Sequence, residues 1–174
     1  MNNLIYNANN NAKINTEDRM LDKTNIQILD TLQTNSQISN QDLADQVTLS
    51  PSLCLRRVKQ LQDEGYITKQ VALLNPNKLE LNLTVMVMVG LNNHTQAIMD
   101  GFKVAIRKLP EVISCHVITG QSADYILKVM VTDMNQYQNF CLKRLLAIKG
   151  VGTVLSSFVL ESVVDKTALP LDHL

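Results

Sequence analysis

Two helix-start signals stand close together in the first third of the chain, and they restrict its fold more than any other feature. Ser39 precedes a short run with Leu43, Ala44 and Val47 on one face; Ser50-Pro51 opens a second run that reaches Glu64 and stops at Gly65. A serine hydroxyl accepts from the free amides of a first helical turn. Proline at the first helical position loses no needed hydrogen bond. Glycine after the last turn tolerates the left-handed cap conformation. Ser39 and Asp42 have capping-box spacing, although Asp is shorter than the usual Glu. Only Thr48, Leu49 and Ser50 separate the two helices. Ahead of them, Leu21, Asn25, Ile28, Leu29 and Leu32 recur at helical spacing behind Asp22, whose carboxylate suits a helix N-terminus. Two short helices joined this tightly, with a third packed behind, predict a helix-turn-helix.

The pattern changes at Asn75-Pro76-Asn77. Residues 67–74 (ITKQVALL) read as a connecting strand that ends there. Beyond it the chain reads as a strand at 83–91, a helix at 95–109, strands at 112–118 and 124–131, a helix capped by Asp133, and a strand at 153–164. That last helix carries Tyr137, Phe140, Cys141, Leu145 and Ile148 inward. The order βαββαβ predicts a ferredoxin-like antiparallel α/β sandwich, so the whole chain is α+β. The expected organisation is an asparagine-rich disordered tail over 1–18 and a helix-turn-helix domain over 19–66. A connecting strand and linker follow over 67–80, then the sandwich over 81–165 and a tail over 166–174. In the strand at 83–91, Val85, Val87 and Val89 point one way, and Met86 and Met88 the other. A sheet with one wet face alternates apolar and polar residues. The second face is therefore expected to be covered by another subunit, in a homodimer or larger.

Several function classes have no support. The 45% apolar and 18% charged content of the 174 residues is that of an ordinary globular protein. The apolar run Leu83–Leu91 is too short to cross a bilayer, which takes about 20 helical residues. The N-terminal MNNLIYNANNNAK has no basic start followed by an apolar stretch, so the cytosol is expected and no membrane. Cys54, Cys115 and Cys141 form no CxxC pair, which argues against disulfides or a zinc ribbon. Cys115 and His116 are neighbours on a strand and so face opposite ways. His94 and His173 fall in a turn and a tail, without ligand spacing. No catalytic residue, metal site or cofactor is expected.

The 16 basic and 16 acidic residues balance, so any attraction for nucleic acid must be local. It is local on the third helix. At 100° per residue, Cys54, Val58 and Leu61 form the inward stripe, Ser52, Arg56, Lys59 and Gln60 lie opposite, and Arg57 flanks the stripe. From Ser50 to Gln62 there are cations and no acid. Such a face enters the major groove, where Arg bonds guanine, Gln pairs with adenine and Ser bonds a base or a phosphate. The N-terminal amides of the second helix, behind Ser39 and Asn40, suit a phosphate. If Arg56, Arg57 and Lys59 of both subunits of a dimer meet phosphates, log affinity falls against log salt with a slope of about −5.

Taken together, LDKTNIQILDTLQ, ISNQDLADQVTLSPSLCLRRVKQL, EGYI, ALLNP, CHVITG and DYILKV followed by Asp133-Met134 resemble the Lrp/AsnC (feast/famine) family of prokaryotic transcription regulators. The resemblance covers all but the asparagine-rich tail and the last ten residues. It implies DNA reading by Ser50, Ser52, Leu53, Arg56, Arg57 and Lys59. It implies a second domain that senses amino acids, and dimers that assemble further, commonly to octamers, on bent or wrapped double-stranded DNA of the nucleoid. It places an effector loop on Thr119, Gly120, Gln121, Ser122, Ala123, Asp124 and Tyr125. Gly120 lets backbone approach a ligand. Asp124 is a partner for an α-amino group or, alternatively, a turn residue. Val117, Met134 and Phe158 would supply an apolar wall. The family usually has two residues between this Gly and Asp; here Gln121, Ser122 and Ala123 intervene, so the loop is one residue longer. The reading is a sequence-specific transcription regulator responsive to an amino acid or related metabolite. An effector-independent DNA-organising protein is the alternative. Sirohaem decarboxylases, which resemble the same two-domain family, are a remote one that the cationic third helix disfavours.

Overall fold

The computed structural model describes residues 21–119 and 123–174. The asparagine-rich segment and loop residues Gly120, Gln121 and Ser122 lie outside them. The chain divides into two compact units, one of residues through Ala72 with Asp165–Leu174, the other Leu73–Val164.

The first unit holds α1 (Lys23–Thr34), α2 (Asn40–Gln46) and α3 (Pro51–Asp63). Each start is capped as its sequence requires. Asp22 accepts from the Asn25 amide at 2.7 Å, Ser39 from Asp42 at 3.1 Å and Ser50 from Leu53 at 3.4 Å. The Ser39 hydroxyl donates to the Asp42 carboxylate at 2.6 Å, a contact that suits the shorter acid. Between α2 and α3 the backbone turns through Thr48 at φ 57°, and Gly65 takes φ 80° after α3. Ile28, Leu43, Ala44, Val47, Cys54 and Leu61 are buried together. Full burial of each large apolar side chain stabilises by about 1.5–3 kcal/mol.

One expectation for this unit needs correction. No strand forms over 67–74; these residues run without ladder partners, and Val71, Leu73 and Leu74 are exposed. Strand composition needs a neighbouring strand to bond, and the described residues of one chain offer none there. The last residues, read as a tail, are tied to α1. Gln33 of α1 donates to the Leu169 carbonyl at 3.0 Å and accepts from the Leu169 amide at 2.8 Å.

The second unit is a four-stranded antiparallel sheet, β1 (Leu83–Leu91), β2 (Val112–Val117), β3 (Tyr125–Val131) and β4 (Val151–Phe158), in the order β2-β3-β1-β4. This is the expected ferredoxin-like topology. β4 ends at Phe158 rather than 164, and Leu160 beyond it is fully exposed. α4 (Gln96–Ile106) and α5 (Met134–Phe140) cover one face. α5 continues as a π turn, Cys141–Leu145, which still brings Leu145 into the core. Val85, Val87 and Val89 face the helices with Val129, Leu127 and Tyr125 opposite them. Gly150 returns the chain to β4 at φ 95°; a Cβ there would lie 2.4 Å from Cγ2 of Ile98. The other face carries Met86, Met88, Ile126, Met130 and Leu155 in register, with Lys128 and Ser157, and no helix of the unit covers it.

Candidate functional site

On α3 the inward stripe is Cys54 and Leu61, with Val58 packed at its edge. Ser52, Leu55, Arg56, Lys59 and Gln60 are exposed, while Leu53 is half-buried. Among the described residues, Arg56 and Lys59 have no acidic partner. Arg57 is different. Its guanidinium donates to Asp22 at 2.5 Å and to Asn25 at 2.9 Å, tying α3 to the first turn of α1. The Asn25 amide, and then Arg57, hold the Asp22 carboxyl below its ordinary value. The phosphate count and the family resemblance both place Arg57 toward DNA. In the fold its guanidinium is bonded at the α1 cap, at the border of the buried stripe. Asn40 also turns inward, its side-chain amide donating to the Pro51 carbonyl at 2.9 Å. Ser39 and Ser50 serve as caps, Ser50 with its hydroxyl 3.3 Å from that of Ser52. Gln60 donates to Glu64 at 2.8 Å, an exposed contact that water or a base can replace.

In the second unit the candidate loop joins β2 to β3. Val117 lies opposite Tyr125 across this pair and is exposed, as is Thr119. Ile118 donates to the Asp124 carbonyl at 2.9 Å, and the Asp124 amide to the Val89 carbonyl at 2.9 Å. The Asp124 carboxylate accepts from the Leu91 amide at 2.6 Å through one oxygen and meets His94 Nε2 at 2.7 Å through the other. The Leu91 amide, followed by His94, holds this carboxyl below its ordinary value, so it is an anion at neutral pH. Ala123 and Tyr125 are buried. The Tyr125 ring lies 4.4 Å from that of Phe102, its hydroxyl has no partner among the described residues, and burial pushes its phenol up.

Met134 and Phe158 are not part of this cluster within one chain. Phe158 pairs with Val85, whereas Tyr125 pairs with Val89, further along β1. Met134 follows the far end of β3, roughly 20 Å along the strand from Tyr125. Phe158 packs instead edge-on to Tyr137 of α5 at 5.4 Å. His94 is the residue that sequence reasoning missed. It reads as a turn residue, and only the β1–β3 register carries it to Asp124.

The cysteines and His116 are not arranged for catalysis. Cys115 pairs with Leu127 on the helical face and His116 with Ile126 on the open face, so they point apart. Burial pushes the Cys54, Cys115 and Cys141 thiols up, away from the reactive thiolate. Among the described residues no group of three His, Cys, Asp or Glu could hold a metal, and no helix is long and apolar enough to cross a membrane.

Comparison with known proteins bears on both units. Residues 21–68 match the family model for a winged helix-turn-helix DNA-binding domain, and 84–169 that for the Lrp/AsnC ligand-binding domain. The leucine-responsive regulatory proteins of Escherichia coli K12 and Salmonella typhimurium are each 38% identical over 149 residues, 86% of this chain and 90% of theirs. The chain belongs to the Lrp/AsnC family. Like its relatives in that family it is a DNA-binding transcription regulator with a ligand-binding domain, not an enzyme. A transcriptional regulator of Neisseria meningitidis, solved as its L-Met complex, superposes with a TM-score of 0.85 at 43% identity, over 88% of this chain and 99% of that one. An AsnC family regulator from Agrobacterium tumefaciens gives 0.83 at 33% identity, with 88% and 99% covered. Among the described residues of this Lrp/AsnC regulator no strand follows α3 before β1, so it shows no wing there.

Proposed function

We propose that α3 of this regulator enters the major groove of double-stranded DNA with Ser52, Arg56, Lys59 and Gln60 toward the duplex. Two cations without acidic partners on a capped, rigid helix support that set. Arg56 suits a guanine edge or a phosphate, Lys59 a phosphate, and Ser52 and Gln60 base edges. Ser50 and Leu53 shape the start of the helix, Ser39 caps α2, Asn40 holds α2 to α3, and Arg57 braces α3 from behind.

The second unit takes an amino acid with an apolar side chain, of which leucine and methionine are the candidates. The observation that carries this is the likeness to the Neisseria regulator bound to L-Met, across 88% of this chain. The α-ammonium group would meet the Asp124 anion, and Val117, Thr119 and Tyr125 would border the ligand beside the loop Gly120-Gln121-Ser122. The open sheet face with its three methionines supports a dimer, with further assembly to octamers. Met134 and Phe158 can join the effector site only from another copy. Such a regulator works in the cytoplasm, at the nucleoid. Regulation follows if the amino acid binds one assembly or DNA-bound state better than another, since equal affinity for both shifts nothing.

A thermal-shift panel of the twenty amino acids on the full chain tests the effector. Ligand at 100 times its dissociation constant adds about 2.7 kcal/mol, enough for several degrees. A selective shift with leucine or methionine is expected. No shift with any amino acid would overturn the assignment.

A further inference from the structure

We infer that Leu55 reads the C5-methyl group of a thymine in the major groove. The inference rests on the proposed entry of α3 into that groove. Leu55 is 60% exposed and takes no part in the helix-turn-helix core. It sits one turn after Ser52 and one turn before Lys59, so it shares their outward face. That face is otherwise polar, with Ser52, Arg56, Lys59 and Gln60. Leu55 also lies in the first half of α3, and residues near the start of a recognition helix are those that reach base edges.

Its chemistry selects the base. An isobutyl group placed against a donor or acceptor on a base edge leaves that polar atom without a partner, which is costly. The thymine methyl is the one apolar group that an unmodified base pair presents in the major groove. Leu55 therefore favours thymine over cytosine at one position of each half-site without making a hydrogen bond. The same methyl group is carried by 5-methylcytosine, so the contact extends to that base. Leu53, the apolar residue that the family resemblance marks, is half-buried and turned about 160° from Leu55 on the helix. It is the poorer candidate for the same contact.

The test begins with a binding site selected from random duplexes by the full-length protein. Each thymine is replaced singly by deoxyuridine, which keeps pairing and removes only the methyl group. At one thymine per half-site the wild-type protein should lose affinity about fourfold, the worth of one buried methyl group. At that position 5-methylcytosine should bind about fourfold more tightly than cytosine. Leu55→Ala should abolish both effects, while its melting temperature and its response at every other position stay as in the wild type. A Leu55→Ala protein that keeps the wild-type deoxyuridine profile would overturn the inference, as would a site with no sensitive thymine. Arg56→Ala is the control for the groove itself. If it weakens binding and Leu55→Ala changes nothing, the thymine contact alone is wrong; if neither variant changes binding, the groove entry falls with it.

Discussion

Arg56 and Arg57 are adjacent on α3, yet the proposed function gives them opposite tasks, and replacing each by alanine separates them. Arg57 bonds Asp22 at 2.5 Å and Asn25 at 2.9 Å, with side-chain exposures of 27% for Arg57 and 51% for Asp22. Exposure of this order limits the ion pair to about 0.2–1 kcal/mol. The hydrogen bond to Asn25 adds about 0.5–1.5 kcal/mol. Arg57→Ala should therefore destabilise the first unit by about 1–2 kcal/mol, or roughly 5–15 °C for a unit of this size. Arg56 is exposed and makes no side-chain hydrogen bond or ion pair among the described residues, so Arg56→Ala should stay within about 0.5 kcal/mol of the wild type. DNA binding should show the reverse. With Arg57 committed inward, a dimer presents two cations per subunit. Its log affinity should then fall against log salt with a slope near −3.5 rather than −5. Arg56→Ala should flatten that slope by about 2 in a dimer, and Arg57→Ala should leave it unchanged. The stability effect also has a sign in pH. The Asp22 carboxyl is held below its ordinary value of 3.8. Its contribution is thus full above about pH 4 and disappears as pH falls through the lower, folded value. The gap between the melting curves of wild type and Arg57→Ala should narrow in that acid range to the part carried by the bond to Asn25. Fluorescence anisotropy over a salt series, with calorimetry on the same samples, provides both readouts. An Arg57→Ala protein that melts like wild type but loses salt slope would refute the assignment.

Three further outcomes follow from single contacts. Gly150→Ala would place a Cβ against Ile98 at a left-handed φ of 95° and should cost about 2–4 kcal/mol in thermal unfolding; adding Ile98→Ala should recover the steric part only. Asp124→Ala removes the acceptor of the Leu91 amide and the partner of His94, so the amino-acid thermal shift should vanish while DNA affinity is retained. Gln33→Ala frees the Leu169 backbone and should make the last residues far more sensitive to carboxypeptidase, with little change in melting temperature; unchanged digestion would show that this side chain does not hold the segment.

Much of the architecture is local and was therefore legible. Asp22, Ser39, Ser50-Pro51 and Gly65 each act within one turn of their own position, so their capping roles follow from spacing. The alternation through Val85, Val87 and Val89 likewise announces a strand with a buried face. What was not legible shares a cause. The segment 67–74 has strand composition, but a strand needs a bonded neighbour, which composition does not supply. Leu53 and Leu55 differ only in angle about the α3 axis, and the packing of α3 against α1 and α2 decided which one is exposed.

By itself, the sequence determined the order of elements, the helix boundaries set by caps, the βαββαβ topology and the presence of a third helix with a cationic face, because each depends on residues close together in the chain. Tertiary structure alone decided that Arg57 bonds Asp22 and Asn25 while Arg56 has no acidic partner among the described residues, and that His94 meets Asp124. It also set Met134 and Phe158 at the far end of the sheet from the β2–β3 connection, and returned the C-terminal residues to α1. Those outcomes depend on strand register and helix packing, which bring together residues distant in the chain, and no spacing along one segment encodes such a meeting.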